Sequence, residues 1–172
     1  MFQDRLGELK ALITIRLRQE SFCQEIFQRD CSYLDAFHAS FSYEEIVPAE
    51  VLIETENWEV TVANAYDTFQ RIALALEVVK EDLVYHEGMG MKVSAGMKRL
   101  LRIVEGQMEG VLVGLLTELE MKGISGPTLS MTVLPPSLRC LDHSVMGNHR
   151  DFVILRHVLH AASFFSVTLN QS

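Results

Sequence analysis

Residues 58–83 of the 172-residue chain read WEVTVANAYDTFQRIALALEVVKEDL. Within this stretch Trp58, Val62, Ala65, Phe69, Ile72, Leu76, Val79 and Leu83 step alternately by four and three positions. A helix turns once in 3.6 residues, so these steps gather the apolar side chains into one seam with polar residues between. One long helix is predicted. Thr55 or Asn57 offers an oxygen to its first amides and Gly88 ends it, which places the helix at about 56–87.

The same periodicity extends outward in both directions. Val93, Met97, Leu100, Val104, Met108, Val111, Leu115 and Leu119 form a second seam, stopped by Gly123 and the Gly126–Pro127 pair, which predicts a helix over about 92–122. Upstream, Leu6, Leu9, Ile13, Leu17, Phe27, Cys31 and Leu34 share one side of a helix expected over about 3–36, with Glu20 and Gln24 interrupting the stripe. Downstream, Ile154, Leu155, Val158, Ala162, Phe165 and Leu169 mark a last helix over about 150–169, with Asn148 as its expected cap. Strand alternation is unconvincing anywhere, so the class read from the sequence is all-α.

Connection lengths then constrain the topology. About 20 residues separate the first two predicted helices and about 27 the last two, whereas about four join the middle pair. A link of that length forces antiparallel neighbours. A 20-residue helix is about 30 Å long, and extended chain covers up to roughly 3.5 Å per residue, so either outer connection can overrun the bundle. The expected architecture is an up-up-down-down four-helix bundle with two long crossover loops, filling residues 1–172 as one domain.

Composition excludes several classes. Fifteen basic and 23 acidic side chains give a formal charge of −8, which disfavours nucleic acid as a partner. A hydrophobic content of 48% excludes wholesale disorder. No apolar run approaches the roughly 20 residues of a bilayer span, so no membrane insertion is expected. Asp4, Arg5, Glu8 and Lys10 interrupt any leader-like apolar segment at the start, a pattern shared by cytosolic chains and by secreted chains numbered after cleavage. Cys23 and Cys31, about 12 Å apart on one helix, cannot bridge each other. Either can meet Cys140, or all three can be buried thiols.

Motifs of catalysis are missing. The chain lacks Glu-x-x-His pairs, the Gly-x-Ser-x-Gly elbow, phosphate-cradling Gly-Lys-Ser/Thr, His-Glu-x-x-His and paired Cys-x-x-Cys. His157 and His160 stand one helical turn apart without an obvious third ligand and read as surface histidines. Asp35 and His38 read as a chance pair, and Glu44–Glu45 as a solvated loop. The expectation is a non-enzyme with no catalytic residue, no metal and no cofactor. Asn170-Gln171-Ser172 fits a glycosylation sequon.

Helical-wheel placement at 100° per residue picks out two surfaces. On the last helix Arg156, His157, His160, Ser163 and Thr168 form a polar arc into which Val153, Phe164 and Val167 intrude. Apolar groups with a charged rim suit a partner's docking face, while a covering loop would account for them equally. On the third helix Gly106, Gly110 and Gly114 share one side, next to Arg102, Glu109 and Val113. Each costs helix stability relative to Ala, which points to close approach by a neighbouring helix or to a notch for a partner loop. Lys10, Thr14, Arg18, Glu25 and Arg29 form the polar face of the first helix and extend that surface.

The long-short-long spacing, the segment Val47–Pro48 through Glu56–Asn57–Trp58, and the run Asn64–Ala65–Tyr66–Asp67–Thr68–Phe69 resemble the long-chain four-helix cytokines of the interleukin-6 type, nearest to the ciliary neurotrophic factor and cardiotrophin-like branch. Residues 151–160, DFVILRHVLH, are similar to the final helix of the helical subunits of interleukin-12 and interleukin-23. The resemblance implies a secreted ligand that clusters class I cytokine receptor ectodomains. It implies receptor contact through Arg156, His160 and Phe164 on the last helix, and through Arg18, Glu25, Arg29, Arg102, Glu109, Gly110 and Val113 on the first and third. A further epitope at the bundle tip would use Phe152. Here the chain departs from the family's Phe-x-x-Lys motif, since Leu155 stands where the Lys belongs. Alternatives are one half of a heterodimer with a soluble receptor-like subunit, and an intracellular helical adaptor.

Overall fold

The computed structural model describes residues 2–18, 57–91, 95–126 and 145–169. Among these residues the chain is all-helical: α1 spans Phe2–Arg18, α2 Trp58–Gly88, α3 Ala95–Met121 and α4 Val145–Thr168. The expected extension of the first helix to residue 36, the two outer connections apart from residues 123–126 and 145–149, all three cysteines and the Asn170 sequon lie outside the described residues.

Local chemistry sets the ends of α2 and α3. Asn57 Oδ1 accepts from the amides of Glu59 at 3.0 Å and Val60 at 3.2 Å, filling two of the donors that a helix start leaves open. At the other end of α2, the amides of Gly90 and Met91 donate to the Glu87 and His86 carbonyls. This paired closure needs a left-handed residue, and Gly90 supplies it at φ 74°. Gly123, at φ 68°, closes α3 in the same way, with its amide donating to Glu120 and that of Ile124 to Leu119.

The seams read from the sequence form the core. Val62, Ala65, Phe69, Ile72, Leu76 and Val79 of α2 are at most 2% exposed, and Trp58 and Leu83 at its ends are half-buried against the cluster. Met97 through Leu119 at seam positions of α3 are all buried, as are Leu6 and Leu9 of α1 and the six expected positions of α4. Phe69 and Phe165 meet at 6.0 Å between ring centroids, tilted by 51°. Burial of each such ring contributes roughly 1.5–3 kcal/mol.

Each helix packs against two others: α1 against α3 and α4, and α2 against the same two. Polar contacts register the pairs. The Gln3 side-chain amide donates to the Leu169 carbonyl at 2.7 Å, tying the start of α1 to the end of α4. Arg150 near the start of α4 pairs with Asp82 near the end of α2 at 2.6 Å. Between α2 and α3, Glu87 pairs with Lys98, and Lys80 pairs with Glu105 at 2.9 Å. Rising numbers on α2 thus meet falling numbers on α3.

Two expectations for α4 are corrected. The helix begins at Val145, so Asn148 lies within its first turn and is not its cap. Val153, placed by the wheel in the polar arc, is 2% exposed. With Val153 and Ala161 buried beside the expected positions, the buried arc of α4 is wider than the seam read from the sequence.

Candidate functional site

The outward ridge of α3 follows from its sequence. With Met97, Leu100, Val104, Met108, Val111 and Leu115 turned inward, 100° steps carry Arg102, Gly106, Glu109 and Val113 to the far side. All four are exposed, Val113 by 60%. Arg102 and Glu109 form no ion pair among the described residues.

Gly110 lies at the margin of this ridge, facing α1. A Cβ built on it would stand 2.5–2.8 Å from the Nη1, Cδ and Cζ atoms of Arg5, so the Arg5 side chain lies across the bare α3 backbone there. Gly106 differs: nothing stands within 4 Å of its Cβ position. Close approach therefore explains one glycine of the stripe, and the approaching group is a flexible side chain of the neighbouring helix. Gly114 is half-buried. The outer faces of α1 and α3 are thus brought together at Arg5 and Gly110. Arg18 is the last residue of α1, and Glu25 and Arg29 lie outside the described residues.

The α4 surface keeps part of its expected form. Arg156, His157, Leu159, His160 and Ser163 line a depression of about 450 Å³, with His160 exposed and Arg156 half-buried. Val167 is 45% exposed, as the wheel placed it. Phe164 departs from expectation. It is half-buried against the core, with its ring at 85° to that of Phe165 and the centroids 5.0 Å apart, so only part of it is open to a partner. Phe152 lies seven residues into α4 and not at its opening turn.

A third feature escaped the sequence reading. Arg150 is 1% exposed, and its Nε and Nη2 donate to Asp151 Oδ1 at 3.0 and 2.7 Å, while Nη2 also reaches Asp82. Burial opposes the guanidinium's charge, but Asp151 and Asp82 outweigh it and raise the Arg150 pKa. Burial pushes the Asp151 carboxyl up to about 6 against the pull of Arg150. The cluster pins α4 to α2, and no sequence spacing announces it, because Asp82 is far away in the chain. Its geometry is structural: two carboxylates share one buried cation, and all three are partnered.

Among the described residues no three His, Cys, Asp or Glu side chains gather to hold a metal ion, and no helix is long and apolar enough to cross a membrane. Compared with protein-family models, curated proteins and solved structures, the chain has no match.

Proposed function

We propose that the chain is a secreted helical cytokine of the interleukin-6 type, running up-up-down-down, that binds and clusters class I cytokine receptors. The observation that carries this reading is the pairing of helix ends. Gln3 meets Leu169, Arg150 meets Asp82 and Glu87 meets Lys98. With α1 taken as running up from Gln3, these pairs support a course in which α4 runs down, α2 up and α3 down. Each helix also packs on the two that run against it, with α1 and α2 on one diagonal. Parallel first and second helices need the long overhand connections that 38 residues, 19–56, can supply.

In this reading the protein acts by holding receptor ectodomains together, so that their intracellular kinases meet. One face comprises Arg102, Glu109, Gly110 and Val113 with the outer side of α1, and Arg18, Glu25 and Arg29 are assigned to the same epitope. A second face comprises Arg156, His160 and the exposed part of Phe164. The tip epitope departs from the family's pattern, because Phe152 lies within α4 and Leu155 holds the motif's last position. Affinity rests on a few anchors per face and signalling on simultaneous engagement.

The test is addition of the purified chain to cells bearing a shared cytokine signal-transducing receptor in several receptor combinations. Kinase-dependent phosphorylation of transcription factors is the readout. The expected result is a response in at least one combination, and silence in all of them would overturn the assignment.

A further inference from the structure

The flank of α3 that faces α2 carries a second depression. Ala73, Leu76 and Glu77 of α2 and Met108, Leu112 and Val113 of α3 line it, with Lys80, Glu105 and Glu109 at its rim, and its volume is about 350 Å³. Its origin is steric. The Lys80–Glu105 and Glu87–Lys98 pairs fix the register of the two helices, and that register sets Ala73 level with Leu112. A methyl group opposite a leucine leaves the ridge between the helices unfilled. Leu76 and Met108 close the floor as part of the core, and Val113 stands out on one side.

The rim carries a net negative charge. Glu77, Glu105 and Glu109 face a single ammonium, Lys80. Lys80 Nζ spans Glu105 at 2.9 Å and Glu77 at 3.6 Å. The Glu105 hydrogen bond and charge, with a smaller contribution from Glu77, raise the lysine's pKa. Glu109 is left without a cation among the described residues. The groove is therefore apolar at its base and anionic at its edge, on a chain whose formal charge is already −8.

We infer that the α2–α3 groove is a docking site for a protein segment that presents an apolar anchor with a lysine or arginine beside it. The apolar side chain fills the notch over Ala73 and Leu112, and the cation meets Glu109 and Glu77. Acidic segments are repelled by the rim and by the whole molecule's field. A volume at the small end of ligand clefts, open to solvent, suits one or two side chains of a partner. The site lies on the α2 side of α3 and shares Glu109 and Val113 with the face proposed above, but its argument does not need the cytokine reading.

The experiment pans a random dodecapeptide display library on the folded chain and measures the enriched peptides on variants. Ala73→Leu fills the notch, and Glu77→Lys reverses one edge at an exposed position. Circular dichroism confirms that both fold. Enriched peptides are expected to place Lys or Arg within about four positions of Leu, Ile, Met or Phe, as one helical turn or a short extended segment allows. Their affinity is expected to fall about tenfold in each variant and to change less than about twofold in Glu120→Lys, a charge reversal at an exposed position outside the groove's lining. Peptides that are acidic or uncharged, binding that survives both variants, or no enrichment would overturn the proposal. So would self-association abolished by Glu77→Lys, which would assign the groove to a second copy of the chain.

Discussion

Arg150 is among the largest fully buried side chains, and its two carboxylate partners make it the least replaceable polar residue described. Arg150→Met keeps the length and removes the charge, leaving Asp151 buried beside no cation. The expected loss is about 3 kcal/mol, measured by urea unfolding. Asp151 adds a pH dependence of definite sign. Its folded pKa, about 6, lies above the ordinary carboxylate value of 3.8, so the folded state holds the proton more tightly than the unfolded one. This contribution is fully present below pH of about 3.8 and is lost as pH rises through about 6. The stability of the wild type relative to Asp151→Asn should therefore decline across that window, by roughly 2–3 kcal/mol. A flat difference would mean that the carboxyl titrates normally. Gly106 presents the opposite case, a helical glycine with open space where a side chain would sit. Gly106→Ala should stabilise the chain by about 1 kcal/mol, seen as a higher Tm.

The helices differ in how much of their placement could be read in advance. α2 and α3 each carry one regular seam, and nearly every position named from periodicity is buried, because a helix with two neighbours on adjoining sides still shows one clean stripe. Asn57 was visible as one of two candidate caps, and its Oδ1 takes two amides. Asn57→Ala should cost about 1 kcal/mol, measured by thermal melting. α4 is harder to read. Apolar residues occur almost all around it, so a wheel cannot tell Val153, which is buried, from Val167, which is exposed. Phe164 lies between them and divides its ring between core and solvent. The Arg150 cluster was invisible for another reason: an arginine followed by an aspartate reads as solvated helix surface unless the distant Asp82 is known to arrive beside it. On α3 the outward set Arg102, Glu109 and Val113 was legible, since it lies opposite an unambiguous seam.

At the level of the assembled bundle, charge reversal on the α3 ridge separates function from folding. Arg102 is exposed and forms no ion pair among the described residues, so Arg102→Glu should change stability by no more than about 0.5 kcal/mol. If the α1–α3 face docks a receptor, the concentration for half-maximal response should rise about tenfold or more. Unchanged potency would remove that face from the binding surface, and a collapsed fold would make the arginine structural. The bond from Gln3 to Leu169 has one more consequence. Residue 3 and residue 169 are side by side, while Arg150 lies about 28 Å further along α4. A fluorophore or fusion joined at either residue would crowd the same pole of the molecule. The pole of Arg150, Asp82 and the Gly90 turn lies at the other end of the helices, away from either kind of fusion.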